Sequence, residues 1–327
     1  MKRNSAIAFS LACACGLALT GPVLAQELGA KPMRIVVGFA PGGSADIIAR
    51  VLGARIGAGM PQQPIVENRT GANGIIAADY VAKAPSDGYT VILTGVSTFV
   101  LNALVYPKVP YDTLKDFAPV TSVAAMQQIL VSHPGLPVKG LKDLADLARK
   151  SPGKLTSASP GIGGISHLTL EILKSIGKYD IEHVAYKGTA PALTDLIGGY
   201  VPLLIADLPA PLPYVKSGKL RAITVTGEAR TPLLPDVPTA REQGFPALQV
   251  TNWVGVMVPV KTPPAVVAKL HAAFVAAVQS ADTKERYSAI GLDPLIAPTT
   301  TAFGTFVRDE FARWEKVVRQ SGIQLQL

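Results

Sequence analysis

The chain has 327 residues, 48% of them apolar and 17% charged, with a formal net charge of +8 and two cysteines. Its Lys and Arg are scattered and form no basic-aromatic stripe, which argues against a nucleic-acid surface. A mature chain of about 300 residues exceeds one typical core, so two domains are expected.

Lys2 and Arg3, the uncharged apolar run Ala6 to Leu19, the break at Gly21-Pro22 and the small-residue site Val23-Leu24-Ala25 before Gln26 read as an export signal over 1–25. The run is too short to span a bilayer comfortably. Its loss takes the formal charge from +8 to +6 and removes both cysteines, Cys13 and Cys15. The chain 26–327 then holds neither a disulfide nor a thiolate metal site, which suits an oxidising compartment, the periplasm.

From Met33 the pattern alternates short apolar runs with helical stretches. Strands are expected at 33–39, 65–67, 90–93, 155–159 and 181–185. Helices are expected at Ser44 to Ile56, Asn73 to Lys83, Leu141 to Arg149, Ser166 to Ile176 and from Pro191 to Gly198-Gly199. Thr262 is expected to cap a helix opened by Pro263-Pro264, with Val267, Leu270, Phe274 and Val278 on its apolar face. A last helix carries Phe303, Val307, Phe311, Trp314 and Val318 at helical spacing, as core. Alternating strands and helices predict parallel β-α-β packing, an α/β fold. With crossovers near Val123–Gln128 and Ala222–Gly227, the first domain is 26–126 plus 227–327 and the second is 127–226.

Three loops share one construction, a strand, then glycine, then a helix start: Phe39-Ala40-Pro41-Gly42-Gly43-Ser44 running on to Asp46, Ser159 through Gly163 and Gly164 to Ser166, and Tyr186-Lys187-Gly188-Thr189-Ala190 before Pro191. A helix start offers unpaired N–H groups and the positive end of the dipole, and glycine lets an anion approach the backbone. In open α/β sheets ligands sit at the carboxyl ends of strands, where these loops lie. Alone, each loop needs its glycine only for the turn; one such loop in each expected domain makes a clamp. Asp46 either caps its helix or meets the ligand, and Ser44 and Ser166 either cap or bind. Lys187 either pairs with an anion or is solvated, and Asp207 either caps or accepts from a ligand donor. His167 reads as structural; His133, His183 and His271 are isolated in sequence.

The chain has no Gly-x-Ser-x-Gly elbow, no Gly-Lys-Ser/Thr phosphate loop and no His-Glu-x-x-His. Gly161-Ile162-Gly163 followed by Ser166 stops short of a dinucleotide fingerprint. A hydrolase built on Ser44 or Ser166 needs a base in reach, and His167, adjacent to Ser166 on a helix, points elsewhere. No catalytic residue, cofactor or metal is expected.

In order along the chain, Phe39 to Asp46 with Arg50, Val66-Glu67-Asn68-Arg69-Thr70-Gly71-Ala72-Asn73-Gly74, Ala84-Pro85-Ser86-Asp87-Gly88-Tyr89-Thr90, Gly163-Gly164-Ile165-Ser166-His167-Leu168, Ala185-Tyr186-Lys187-Gly188, Ser217-Gly218-Lys219-Leu220-Arg221 and Leu234-Pro235-Asp236-Val237-Pro238-Thr239 resemble the Bug/TctC family of extracytoplasmic solute receptors. The family supplies the binding components of tripartite tricarboxylate transporters. The resemblance covers essentially all of the chain after the export signal. It implies a two-domain Venus-flytrap fold of the type II periplasmic class, a mainly parallel sheet flanked by helices in each domain. It also implies a monomer that holds a small organic carboxylate (a di- or tricarboxylate, an amino acid or an aromatic acid) between the loops at Phe39–Asp46 and Tyr186–Pro191, and inner-membrane transporter subunits as partners. Ser97, Thr98, Ser159, Gly163 and Asp207 would then help to choose the ligand. A sensor presenting ligand to a histidine kinase is the alternative. The chain departs from the family at Thr70, usually proline, at Ser159-Pro160-Gly161-Ile162, which lacks the usual Asn or Ser after the strand, and at Asp207, in a segment that usually carries asparagine.

Overall fold

The computed structural model describes residues 31–321; the expected export signal lies outside the described residues. Strand β1 (Arg34–Val37) leads through helix α1 (Ser44–Gly57) to β2 (Ile65–Asn68), then through α2 (Ile75–Ala82) to β3 (Thr90–Gly95). β1 pairs in parallel with both β2 and β3. Two short helices, α3 (Asn102–Val105) and α4 (Thr113–Asp116), precede the 16-residue strand β4 (Phe117–Ser132). After α5 (Leu141–Lys150) the first theme returns as β5 (Thr156–Ser159), α6 (Ile165–Gly177), β6 (Glu182–Ala185), α7 (Thr189–Ile197) and β7 (Leu203–Asp207), and β5 is parallel to both β6 and β7. The short α8 (Leu212–Lys216) and β8 (Arg221–Val225) follow. The chain closes with β9 (Thr251–Pro259), α9 (Pro264–Gln279), α10 (Ala281–Ile290) and α11 (Thr300–Ser321).

The expected parallel β-α-β units are both present, with the same topology: a first strand flanked by the next two. They join through antiparallel strands, in the order β2-β1-β3-β9-β4-β7-β5-β6, with β8 also on β4. β4 is the seam. Its residues 117–127 pair with β9, and its residues 128–132 pair with β7 and β8. Thr226 ties the seam to the returning chain. Its Oγ1 accepts from the Gln128 N–H at 2.9 Å and donates to the Val250 carbonyl at 2.6 Å. No single helix among the described residues is long and apolar enough to cross a membrane.

Packing explains several differences from the expected elements. Helix α2 starts at Ile75 rather than Asn73, because Asn73 is left-handed (φ 52°) and breaks a short 3₁₀ turn away from the helix. Thr262 was expected to cap α9. The N-cap position is instead Pro263, and the Thr262 hydroxyl is buried with no partner. Residues 227–249 have little regular structure, yet they pack with the second β-α-β unit. Leu233, Leu234 and Val237 lie against Ile129, Leu204 and Val225, and Ala240 and Leu248 lie among Leu144, Leu203 and Ile223. Leu248 still packs with the second unit, whereas Val250 packs with Trp253 and Phe99. The apolar face of α9 (Val267, Leu270, Phe274 and Val278) is buried, as are Phe303, Val307 and Trp314 of α11. Amphipathic spacing places both faces in the core.

Candidate ligand-binding site

The loops after β1, β5 and β6 meet where the two units face each other. Helices α1, α6 and α7 begin there, with Gly43, Gly164 and Gly188 at their N-cap positions, and none carries a side-chain cap. A helix start without a cap leaves N–H donors for another acceptor and directs the positive end of the dipole at it. These starts border a cleft lined by Phe39, Gly43, Ser44, Ser97, Gly164, Ser166, Thr189 and Asp207 of the expected residues. Ala45, Pro160, Gly161 and Ile165 of the expected loops line it as well, and sequence reasoning missed Asn73, Gly95, Asn252 and Val254 as lining residues. Tyr186 and Lys187 border an adjoining cavity with Tyr106 and Ile162 instead.

Ala40, Pro41, Gly42, Gly188 and Ala190 are not among the lining residues; they belong to the two loops that touch across the cleft. A Cβ placed on Gly188 would lie 2.9 Å from both the Ala40 Cβ and the Ala40 nitrogen, and one on Gly42 would lie 3.7 Å from the Ala190 Cβ. Farther along, the Ile165 N–H donates to Ser97 Oγ at 3.0 Å, and the Tyr106 hydroxyl donates to the Ile162 carbonyl at 2.9 Å. The two units are thus in contact around the cleft.

Asp46, Thr98, Ser159 and Gly163 lie behind the lining and shape it. Asp46 accepts from the Gly42 N–H, from Arg50 and from Asn68, and Asn68 also donates to the Phe39 carbonyl. Burial acts to raise the Asp46 pKa, but the bonds from Arg50, Gly42 and Asn68 outweigh it and hold the carboxyl below its usual range. Asp46 therefore caps the loop, with Gly43 at the N-cap. Thr98 donates to the Asn73 carbonyl, while Asn102 both accepts from the Asn73 amide at 2.8 Å and donates to the Asn73 carbonyl at 3.1 Å. This buried network holds Asn73 against Gly161 and Gly164, with its Oδ1 only 3.0 and 2.8 Å from where their Cβ atoms would be.

Ser159 Oγ is 2.6 Å from His183 Nε2 and accepts from the Gly161 N–H; the Gly163 N–H donates to His167 Nδ1 at 3.0 Å. His183, isolated in sequence, is stacked on His167 with ring centroids 3.6 Å apart. Burial lowers both imidazole pKa values, to about 3 for His167, which also feels His183 and Lys174, and to about 4 for His183, which also feels Lys174. The folded pair therefore binds fewer protons than the unfolded chain below the ordinary value of 6.5, and stability falls as pH drops from 6.5 towards 4. Urea unfolding at pH 7.5 and pH 5 should show this loss, and His183→Gln should flatten it; an unchanged slope in the variant would assign the acid sensitivity elsewhere.

The floor of the cleft is polar. Asp207 Oδ2 accepts from Asn252 Nδ2 at 2.9 Å, and Gln128 Nε2 approaches Asp207 Oδ1 at 3.4 Å. The same Gln128 Nε2 donates to Ser166 Oγ at 2.7 Å, and Gln128 Oε1 accepts from Thr169 at 2.6 Å. Ser44 Oγ and Asn252 Oδ1 are buried with no partner. Asp207 is the only ionisable side chain among the lining residues.

The model of the tripartite tricarboxylate transporter family receptors matches residues 48–323. The chain belongs to that family. The receptor is 35% identical over 309 residues to protein BugT of Bordetella pertussis, covering 94% of each chain. Among solved structures, R. palustris Rpa4515 with adipate is similar at a TM-score of 0.87 and 36% identity, over 91% of this chain and 99% of that one. MatC of Rhodopseudomonas palustris with bound malate is similar at 0.83 and 33% identity, over 88% and 99%. The receptor has the mixed α/β fold of these periplasmic binding proteins.

Proposed function

We propose that this receptor works in the periplasm, takes one small organic carboxylate into the cleft between its two halves, and presents the closed, loaded form to the inner-membrane subunits of a tripartite tricarboxylate-type transporter. The halves in this reading are 31–127 with 250–321, and 128–249. One observation carries it: three helix starts whose N-cap glycines offer no side-chain cap converge on one cleft that no Lys, Arg or His lines, with one N–H of α6, that of Ile165, taken by Ser97 Oγ. Such a cleft holds an anion by backbone donors. The adipate and malate of two relatives extend the carboxylate chemistry to this chain. We assign no catalysis. Ser166 Oγ faces an amide, Ser44 Oγ has no partner, and His167 Nδ1 is taken by a backbone N–H.

A thermal-shift screen of the mature chain against small carboxylates tests this. A ligand far above its Kd should add about 3–4 kcal/mol of stability. Gly43→Phe, which fills the space between Ala40 and Thr189, should abolish the shift, while Lys187→Ala should keep most of it. An equal loss in Lys187→Ala would replace the backbone grip with a side-chain ion pair. No shift across the panel, with no small molecule released on denaturation, would sink the reading.

A further inference from the structure

The receptor's cleft is asymmetric in a way that a plain carboxylate does not use. On one side are donors: the starts of α1, α6 and α7, and the hydroxyl of Ser166. Ser166 Oγ already accepts from Gln128, so its proton is left to give. On the other side are two acceptors, the Asp207 carboxylate and Asn252 Oδ1. Both oxygens of Asp207 face amide groups, and Asn252 must direct its NH₂ at Asp207, which leaves Asn252 Oδ1 buried and unpaired. Turning that amide over would set an oxygen against a carboxylate, so the orphaned acceptor is fixed in place. A buried acceptor without a partner is costly, and a second one beside a carboxylate marks a place that wants a donor, best a positive one.

Donor and acceptor sides are close together, because Ser166 Oγ and Asp207 Oδ1 lie within 3.4 Å of the same nitrogen, Gln128 Nε2. A carboxylate and a donor on neighbouring carbons fit that spacing. Charge agrees with it. A simple dianion would enter a cleft whose one ionisable side chain is an acid, with no cation on the lining to offset it. A zwitterion brings its own.

We propose that Asp207, with Asn252 Oδ1, selects a ligand carrying an ammonium next to its carboxylate, so that the receptor takes a 2-amino acid in preference to the same acid without nitrogen. This rests on the carboxylate reading above and narrows it. Asp207 comes from the end of β7 and Asn252 from β9, and the two flank the seam strand β4, where they pair with Gln128 and Met126, so the selecting group is assembled at the junction of the halves. Gln128 and Asn252 bond the carboxyl from the packed elements β4 and β9, and neither titrates.

Isothermal titration with matched pairs tests the proposal: alanine and propionate, glutamate and glutarate, leucine and 4-methylpentanoate. The amino member of the preferred pair should bind at least about tenfold tighter, the size of one charge-assisted hydrogen bond. Asp207→Asn should weaken the amino member by about tenfold to a hundredfold and leave the nitrogen-free member equal or tighter. Burial raises the Asp207 pKa to about 6, so wild-type affinity for the amino acid should fall severalfold from pH 7.5 to 5.5, and the variant should lose that slope. If the nitrogen-free or 2-hydroxy acid binds as tightly as the amino acid, or Asp207→Asn weakens both members alike, the ammonium assignment is overturned while the carboxylate reading stands. Binding by no acid of any kind overturns both.

Discussion

Gly188→Val should abolish ligand capture while leaving a folded protein. Gly188 sits at φ +130°, where side chains are rarely accommodated, and its Cβ position is 2.9 Å from Ala40 on the facing loop. A valine there wedges the loops apart just where the starts of α1 and α7 must approach one anion. Backbone strain of roughly 1–3 kcal/mol lowers stability without unfolding a domain of this size. The larger effect falls on closure, because a ligand draws the halves together only by its better contacts in the closed state. We expect affinity to drop by about a hundredfold or more, equivalent to nearly 3 kcal/mol. Titration calorimetry measures the loss, and circular dichroism checks the fold. Ala40→Gly combined with the milder Gly188→Ala should recover part of the affinity, since it removes the opposing methyl. Unchanged binding in Gly188→Val would show that the contact between the loops is not needed for capture.

Outside the cleft, Glu310→Ala should cost a large share of the stability. This carboxylate is 5% exposed, and its Oε2 accepts from the indoles of both Trp253 and Trp314, at 2.8 and 3.1 Å. Its other oxygen takes Arg313 at 2.9 Å. Trp253 stands among Phe99, Phe303 and Phe306, so its N–H has no route to water. Truncation leaves two buried indole donors unpaired and costs about 3 kcal/mol. Glu310→Gln keeps an acceptor and should cost about 1 kcal/mol. Urea unfolding followed by tryptophan emission separates the two; equal losses would mean that packing, rather than the hydrogen bonds, is at stake.

Much of this architecture is legible in the sequence where the interactions are local. The two β-α-β units follow from apolar runs at strand and helix periods, and the glycine loops follow from what a strand-to-helix turn requires. What the sequence hides is set by distant partners. Of β4 the sequence shows only the crossover stretch near Val123–Gln128; pairing with β9 on one side, and with β7 and β8 beyond, extends it to one strand over Phe117–Ser132. The segment 227–250 lacks periodicity, and its leucines reveal their half only through packing. In the cleft, most expected residues came from loop chemistry, and Ser97 and Thr98 from the family resemblance. Asn73 and Asn252 were missed because each is placed by remote groups, Asn73 by Asn102 and Thr98, and Asn252 by Asp207. Asn73 carried one signal, its place in the Gly71-Ala72-Asn73-Gly74 motif. Asp207 was visible as a polar residue ending an apolar run, but its company of amides needed the strand order β9-β4-β7.

With the three helix starts holding an anion as proposed, by peptide dipoles and no side-chain cation, the pull of the site fades quickly outside the cleft. Dipolar fields fall off faster than those of a charge, and helix-end effects die within about a turn. Beyond the diffuse attraction of a positively charged chain, little steers a ligand inwards from a distance. Encounter is then close to a random search, and selectivity resides in how long the halves stay shut. Salt, which screens long-range attraction over roughly 8 Å at physiological strength, has little left to screen once they have closed. A receptor built this way keeps its grip across changes in external ionic strength, a useful property outside the inner membrane.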